Sequence, residues 1–335
     1  MASRVAHEQK NNSANTDSTP FMDKSSDANA VDAAEERYLT KLSPELQDAI
    51  RKQNKILVLP DWPATTHGVP NIYLRSALFR VIRRGRRKAV KGEPITSIAG
   101  LNIRYTGWQL DQGDFDVLAH AFHLQSRQRH MEKINEEYLR FEIKSFLRSI
   151  GRQPGKSGRI WLKDCFRRLT ATAIEMAIET RHTPTHERLT YAGSLIDEFI
   201  CKESEQTYWI KLNSKLSVLF AAGMTQIQWH QRLCLQTSLA KWLHGFYASH
   251  KKPYPIKVVT LKHLCGSDCN RLTDFRRSLR TALDELVYVK AILDWQIDTH
   301  DKVHVQKTRE NLLKEFSGGG IALTPGGHST HTRGA

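Results

Sequence analysis

Leu272, Phe275, Leu279, Leu283 and Leu286 recur every three or four residues, while Arg271, Arg276, Arg277 and Arg280 take up much of the surface between them. That period predicts a long helix with one apolar and one cationic face. Ahead of it, the chain from Pro253 reads as a short extended piece, a short helix opened by Thr260 and a Cys265-Gly266-Ser267-Asp268 turn. Behind it, 288–297 and 303–307 read as the strands of a hairpin around Asp298-Thr299-His300-Asp301. A helical stretch over 235–250 comes first. A short helix, a glycine-containing turn and a basic second helix form a helix-turn-helix, whose second helix enters the DNA major groove.

The same succession occurs once before. A strand is expected over 98–105, an amphipathic helix over 111–125, and an extended-then-helical piece over 138–150. A Gly/Pro-rich turn at 151–158 leads to a helix over 159–169, with Leu162, Cys165, Phe166 and Leu169 as its apolar stripe and Arg159, Lys163, Arg167 and Arg168 off it. Strands follow at 170–179, 191–201 and 207–212. Helix-turn-helix plus hairpin is the winged-helix plan, so the expected fold class is α+β with two tandem winged-helix domains. The two copies share little sequence, and the repeat is one of pattern alone.

The expected organisation is a disordered tail at 1–36, an N-terminal extension at 37–95, a first winged-helix domain at 96–222, a second at 223–310 and a disordered tail at 311–335. Within the extension, Ser43-Pro44-Glu45 reads as the start of a short helix running to about Lys52. The segment from Arg80 to Lys91 holds seven basic residues and reads as a solvated loop able to touch phosphates.

Charge sharpens the picture. Of 335 residues, 50 are Lys or Arg against 35 Asp or Glu, which leaves +15 and a pI near 9.6. A surplus of that size points to a polyanionic partner. No apolar run approaches the roughly 18 residues of a membrane span, and the polar N-terminus lacks the apolar core of a secretory signal. Five scattered cysteines do not make a disulfide framework, so the chain reads as soluble and reduced.

Other chemistry is weakly signalled. Gly155-Lys156-Ser157 copies the end of a phosphate-binding loop, but only three residues separate Gly151 from Gly155 where that loop needs four. Cys265, Cys269 and His263 lack the paired spacing of a zinc site. His120 and His123 read as partly exposed polar residues. With no acid/base or nucleophile constellation, the expectation is a non-enzymatic protein without cofactor or metal.

Several blocks carry a resemblance: Arg75-Ser76-Ala77-Leu78-Phe79, Tyr105-Thr106-Gly107 with Leu110, Arg168-Leu169 with Ala171-Thr172-Ala173, Val218-Leu219-Phe220-Ala221, Ser249-His250, and Pro253-Tyr254-Pro255 leading to Cys265-Gly266-Ser267-Asp268. In this order they resemble the TrfA family of plasmid replication initiators. The resemblance implies two winged-helix domains that bind directly repeated origin sequences (iterons), open the adjacent AT-rich region and deliver the host replicative helicase. Implied partners are duplex origin DNA, single-stranded DNA, the helicase with its loader, the host initiator protein and the sliding clamp, with a monomer–dimer equilibrium. Arg271 and Arg276 fall where the family's second recognition helix has arginine, and Gly158-Arg159 matches the start of the first. The candidate DNA-contacting set is therefore Arg271, Thr273, Arg276, Arg277, Arg280 and Lys257 in the second unit, with Lys156, Arg159, Lys163, Arg167 and Arg168 in the first. Ile56, Leu57 and Leu59, before Trp62-Pro63, stand where the family carries its clamp-binding peptide, although Lys55 replaces the family's glutamine. The alternatives are a winged-helix transcription regulator and an ATP-dependent DNA remodeller built on Gly155-Lys156-Ser157.

Overall fold

A computed structural model describes residues 57–307, except 58, 84, 86, 99–100, 129–137, 180–187, 203 and 205. The readings for the two tails, for the helix at 43–52 and for Ile56 fall outside the described residues. Among these, the chain begins with β1 (Thr66–Pro70), α1 (Asn71–Leu74), β2 (Phe79–Arg80), β3 (Ala89–Ile95), β4 (Leu101–Trp108) and β5 (Leu110–Asp111). Then come α2 (Gln112–Gln128), β6 (Leu139–Glu142), α3 (Ile143–Ser149), α4 (Lys156–Thr170), β7 (Ala173–Glu179), β8 (Arg188–Gly193), β9 (Ile196–Lys202) and β10 (Thr207–Leu212). The rest is α5 (Ser217–Ala221), β11 (Met224–Gln228), α6 (Trp229–Cys234), α7 (Ser238–Ala248), β12 (Ile256–Lys257), α8 (Val258–Leu264), α9 (Leu272–Tyr288), β13 (Asp294–Ile297) and β14 (Lys302–Gln306).

Helices and sheets are mixed around two hydrophobic cores. The first runs from Leu57 to Trp229 and the second from Leu235 to Val303. Within the segment expected as an extension, Leu57, Leu59, Trp62 and Val69 are buried in the first core, whereas Val81 packs against the second. The strand β1 pairs antiparallel with β11, from Thr66 opposite Gln228 to Pro70 opposite Met224. Such a pairing across some 160 residues leaves no local signal for a sequence reading.

Several boundaries shift for local reasons. The helix α8 starts at Val258, not Thr260, because Val258, Leu261 and Leu264 set the buried spacing while Thr260 is exposed. Tyr288 ends α9 and does not start a strand. The expected strand at 191–201 is two, β8 and β9, which join different sheets: β8 edges the sheet β3-β4-β7-β8, and β9 edges β6-β10-β9. The helix α4 starts at Lys156, three residues earlier than expected.

The two units repeat at the level of individual hydrogen bonds. In each, a short strand leads into a helix that ends on a left-handed glycine, Gly151 (φ 70) after α3 and Gly266 (φ 60) after α8. Both ends have the same closure: Gly151 N–H donates to Arg148 O and Arg152 N–H to Leu147 O, while Gly266 N–H donates to His263 O and Ser267 N–H to Lys262 O. This pattern satisfies the last carbonyls of a helix and needs a residue tolerant of positive φ, which is why glycine stands at both sites. A second helix and an antiparallel hairpin follow, α4 with β9–β10 and α9 with β13–β14.

Candidate nucleic-acid interface

The cationic helix α9 rests on its apolar stripe. Phe275, Leu279, Leu283 and Leu286 are buried with Ala282, whereas Arg271, Thr273, Arg277 and Arg280 are exposed. Leu272, expected on the stripe, is only half-buried at the first turn. Arg277 leans on Asp274 at 3.4 Å with its side chain 80% exposed, so the pair does little to restrain it. Lys257 is exposed on β12, opposite Lys302. Arg271, Arg277, Arg280 and Lys257 thus gather on one unit as solvent-facing cations.

Arg276 behaves differently. Its guanidinium forms a two-pronged pair with Asp301, Nε to Oδ1 and Nη2 to Oδ2, both at 2.9 Å. That hydrogen bond raises the pKa of an already strong base, so the arginine stays charged. Asp301 precedes β14 with φ 59, and its carbonyl accepts the N–H of Val258 at 2.9 Å. The first unit carries the same device. Arg159 of α4 donates to Gln206 Oε1 at 2.5 Å, Gln206 precedes β10 with φ 53, and its carbonyl accepts the N–H of Ile143 at 2.9 Å. In both units an arginine on the second helix is held to the left-handed hairpin residue that also caps the first helix. These hydrogen bonds tie each arginine to its hairpin, through one nitrogen of Arg159 and two of Arg276.

The hairpin turn of the second unit is well braced. Asp298 accepts from the backbone N–H groups of His300 and Lys302 and from His304 Nε2, each at 2.9 Å. The hydrogen bond from His304 and those from the backbone pull its carboxyl down to about 2.

On α4, Lys156 and Arg167 are exposed and Lys163 is half-buried; Arg167 pairs with Asp164 at 3.0 Å. Arg168, expected to face DNA, turns inward. Its Nη2 lies 2.7 Å from Oδ1 of the fully buried Asp114, whose Oδ2 takes Arg87 at 2.7 Å. Ile160, an apolar residue off the stripe that the sequence reading passed over, is 54% exposed among Lys156, Lys163 and Arg167. An exposed aliphatic group on such a face suits a thymine methyl.

Within the basic run, Arg80 pairs with Glu93 at 2.6 Å and Arg87 bridges Asp111 and Asp114, so these two brace the fold. Arg83, Lys88 and Lys91 are exposed. Leu57 and Leu59, expected as a clamp-binding peptide, are core side chains at 2% and 1% exposure. The segment at 151–158 follows the helix α3, where a phosphate-binding loop follows a strand, and Gly158 sits so close to Gln153 O that a Cβ would lie 2.2 Å from it. Cys265 is buried, which pushes its thiol up to about 12.

His120 and His123 also depart from expectation: both are buried, at 5% and 7% exposure. They form a stack with His67 and Trp229, in which His67 lies 4.1 Å from His123 and 3.7 Å from Trp229 between ring centroids. Trp62 Nε1 donates to His123 Nδ1 at 3.2 Å. Burial first, and the neighbouring histidines second, bring His120 down to about 3 and lower His67 further.

A family model described as TrfA protein matches residues 24–307. The chain belongs to the TrfA family. One relative, the plasmid replication initiator protein TrfA of Escherichia coli, is 27% identical over 267 residues, which cover 77% of this chain and 66% of that protein. The chain thus spans just under two thirds of that relative's length. Among solved structures, domains 2-3 of RctB align over 71% of this chain and 97% of that one, with 13% identity and a TM-score of 0.47. The Pi initiator protein in complex with iteron DNA aligns over 56% and 91%, with 13% identity and a TM-score of 0.38.

Three of the blocks that resemble the TrfA family, those at Arg75, Ser249 and Cys265, converge where the two units meet. Arg75 Nε donates to Ser249 Oγ at 3.0 Å and its Nη2 to Ser249 O. Trp242 Nε1 donates to Ser76 O at 3.2 Å, and Val81 N–H to Cys265 O at 2.9 Å. A Cβ on Gly266 would lie 3.1 Å from Ala77 Cβ and 2.8 Å from Arg80 Cγ. Behind this seam, Asp116 accepts Arg232 Nε at 2.6 Å and Lys241 Nζ at 2.7 Å. Burial works to raise the Asp116 carboxyl, but the two cations outweigh it and hold the pKa below its ordinary value.

Proposed function

We propose that this chain is a plasmid replication initiator that binds directly repeated origin sequences through two winged-helix units. The observation that carries the reading is the bond-by-bond repeat of strand, helix, glycine turn, second helix and hairpin, with exposed cations on the second helix each time. Membership of the TrfA family and the naming of a relative as a plasmid replication initiator support it. Lysines and arginines would neutralise phosphates and supply affinity, while Arg271 and its neighbours on α9 read base edges. Two reading helices in one chain suit successive major-groove segments, about 34 Å apart per helical turn.

In this reading, side-by-side binding on the repeats strains an adjacent AT-rich duplex, which deforms most cheaply at TA steps. The helicase with its loader and the host initiator protein then act on the opened strand, and single-stranded DNA becomes a further ligand. The protein works in the bacterial cytoplasm as a monomer in equilibrium with a dimer, without hydrolysing nucleotide and without cofactor or metal. A sliding clamp is the partner that the peptide at 56–59 would take, and Leu57 and Leu59 would have to leave the core to reach it.

Nuclease footprinting beside the gene tests the reading. Protection of direct repeats, each long enough for two successive major-groove segments, is expected. A single protected operator with no repeats would convert the protein into a transcription regulator.

A further inference from the structure

A cavity of about 480 Å³ opens beside α4, walled by Arg83, Arg152, Trp161 and Ser238, with Arg87, Arg168 and Asp111 among its other lining residues. It joins three parts of the chain: the basic run, the turn and second helical turn of the first reading unit, and the start of α7 in the second. Charge is not balanced there. Arg87 and Arg168 are taken up by Asp111 and Asp114. Arg83 and Arg152 have no carboxylate partner among the described residues, and both are exposed. Arg152 is already held in place, its guanidinium 3.4 Å above the Trp161 ring. Stacking fixes the plane of a guanidinium while its N–H donors stay free at the edge, the arrangement that suits a phosphate oxygen pair. The hydroxyl of Ser238 is a further exposed donor. Gly113 keeps the wall close, since a Cβ there would lie 3.0 Å from the Trp161 ring and 3.4 Å from Arg152 Nη2.

We infer that this junction cavity holds one backbone phosphate of duplex DNA, clamped by Arg83 and Arg152 as the duplex passes from the first reading helix to the second. The inference rests on the DNA-binding reading above and adds to it two phosphate ligands, Arg83 and Arg152, that lie outside both reading helices. A duplex on Lys156, Ile160 and Lys163 of α4 runs next to a cavity walled by Trp161 of the same helix. A phosphate contact at the junction fixes the register between the two units and carries no base information.

The test uses the full chain with Arg83→Gln and Arg152→Gln combined, both exposed side chains. Binding to repeat DNA and to random duplex is measured from 50 to 200 mM salt, and folding is checked by circular dichroism. One lost phosphate contact makes the log–log salt slope less negative by about 0.9, with cognate and random affinity reduced by the same factor. Arg152→Lys, which keeps the charge, should preserve most of the slope. An unchanged slope in the double variant overturns the inference, including the case where inorganic phosphate alone is found by calorimetry to occupy the cavity. In that outcome, cognate binding still lost on Arg271→Ala leaves the initiator reading intact. Wild-type protein that fails to distinguish repeats from random duplex defeats the initiator reading itself.

Discussion

Acidification from pH 7.5 to 5.0 should unfold this protein far more readily than its surface charge suggests, because it buries histidines that cannot hold a proton. His120 and His244 are brought down to about 3, chiefly by burial, and His67 lies lower still. The charges around them add to this. His67 faces His123, His120 and Arg232, and His244 feels Arg232 and Lys241, only partly offset by Asp116. In the unfolded chain each histidine titrates near 6.5. Below that pH the unfolded state takes up protons that the folded state refuses, so stability falls by about 1.36 kcal/mol per pH unit per histidine. From pH 6.5 to 5.0 this amounts to about 2 kcal/mol for each, or about 6 kcal/mol for the three if the fold does not relax. Asp298 does not confuse the reading: its lowered carboxyl contributes stability above about pH 4 that is lost only as the pH falls towards 2. Urea unfolding at pH 7.5 and 5.0 measures the difference directly. His244→Gln keeps a donor towards Gln231, which now lies 3.2 Å from His244 Nε2, and should remove about 2 kcal/mol of the pH dependence. A loss below about 1 kcal/mol between the two pH values, or a His244→Gln variant with the same pH dependence as wild type, would refute the argument.

Arg271→Ala should weaken binding to the repeats by about 1–3 kcal/mol more than binding to random duplex, read by competition titration; equal losses would make Arg271 a phosphate contact. Arg276→Ala should instead loosen the hairpin, and Asp301→Ala should reproduce its effect on DNA binding, because the two side chains share one pair of hydrogen bonds. Asp116→Ala leaves Arg232 buried at 1% exposure without its carboxylate, and a loss of about 3–5 kcal/mol in urea unfolding is expected. Incubation with ATP and origin duplex should give no hydrolysis above background, and Lys156→Ala should lower DNA affinity without any nucleotide-dependent effect; turnover abolished by that substitution would promote the remodeller alternative.

The sequence by itself determined the elements whose signal is local. The stripe Phe275, Leu279, Leu283 and Leu286 marked α9 because burying one face of a helix imposes its own period on the chain. Gly266 marked its turn because few residues tolerate a positive φ, and the strand at 207–212 was legible from its composition. The family resemblance was legible too, in blocks whose purpose was not. Only the tertiary structure brought Arg75–Arg80 against Ser249 and Cys265–Gly266, placed Trp161 under Arg152 at the junction cavity, and paired β1 with β11. It also separated the arginines. Arg168, Arg159 and Arg276 look like Arg167, Arg277 and Arg280 in a string of residues, yet the first three meet Asp114, Gln206 and Asp301 across the fold. Cationic character is a property of the residue, whereas availability to DNA depends on which acceptor the folded chain places within about 3 Å of it.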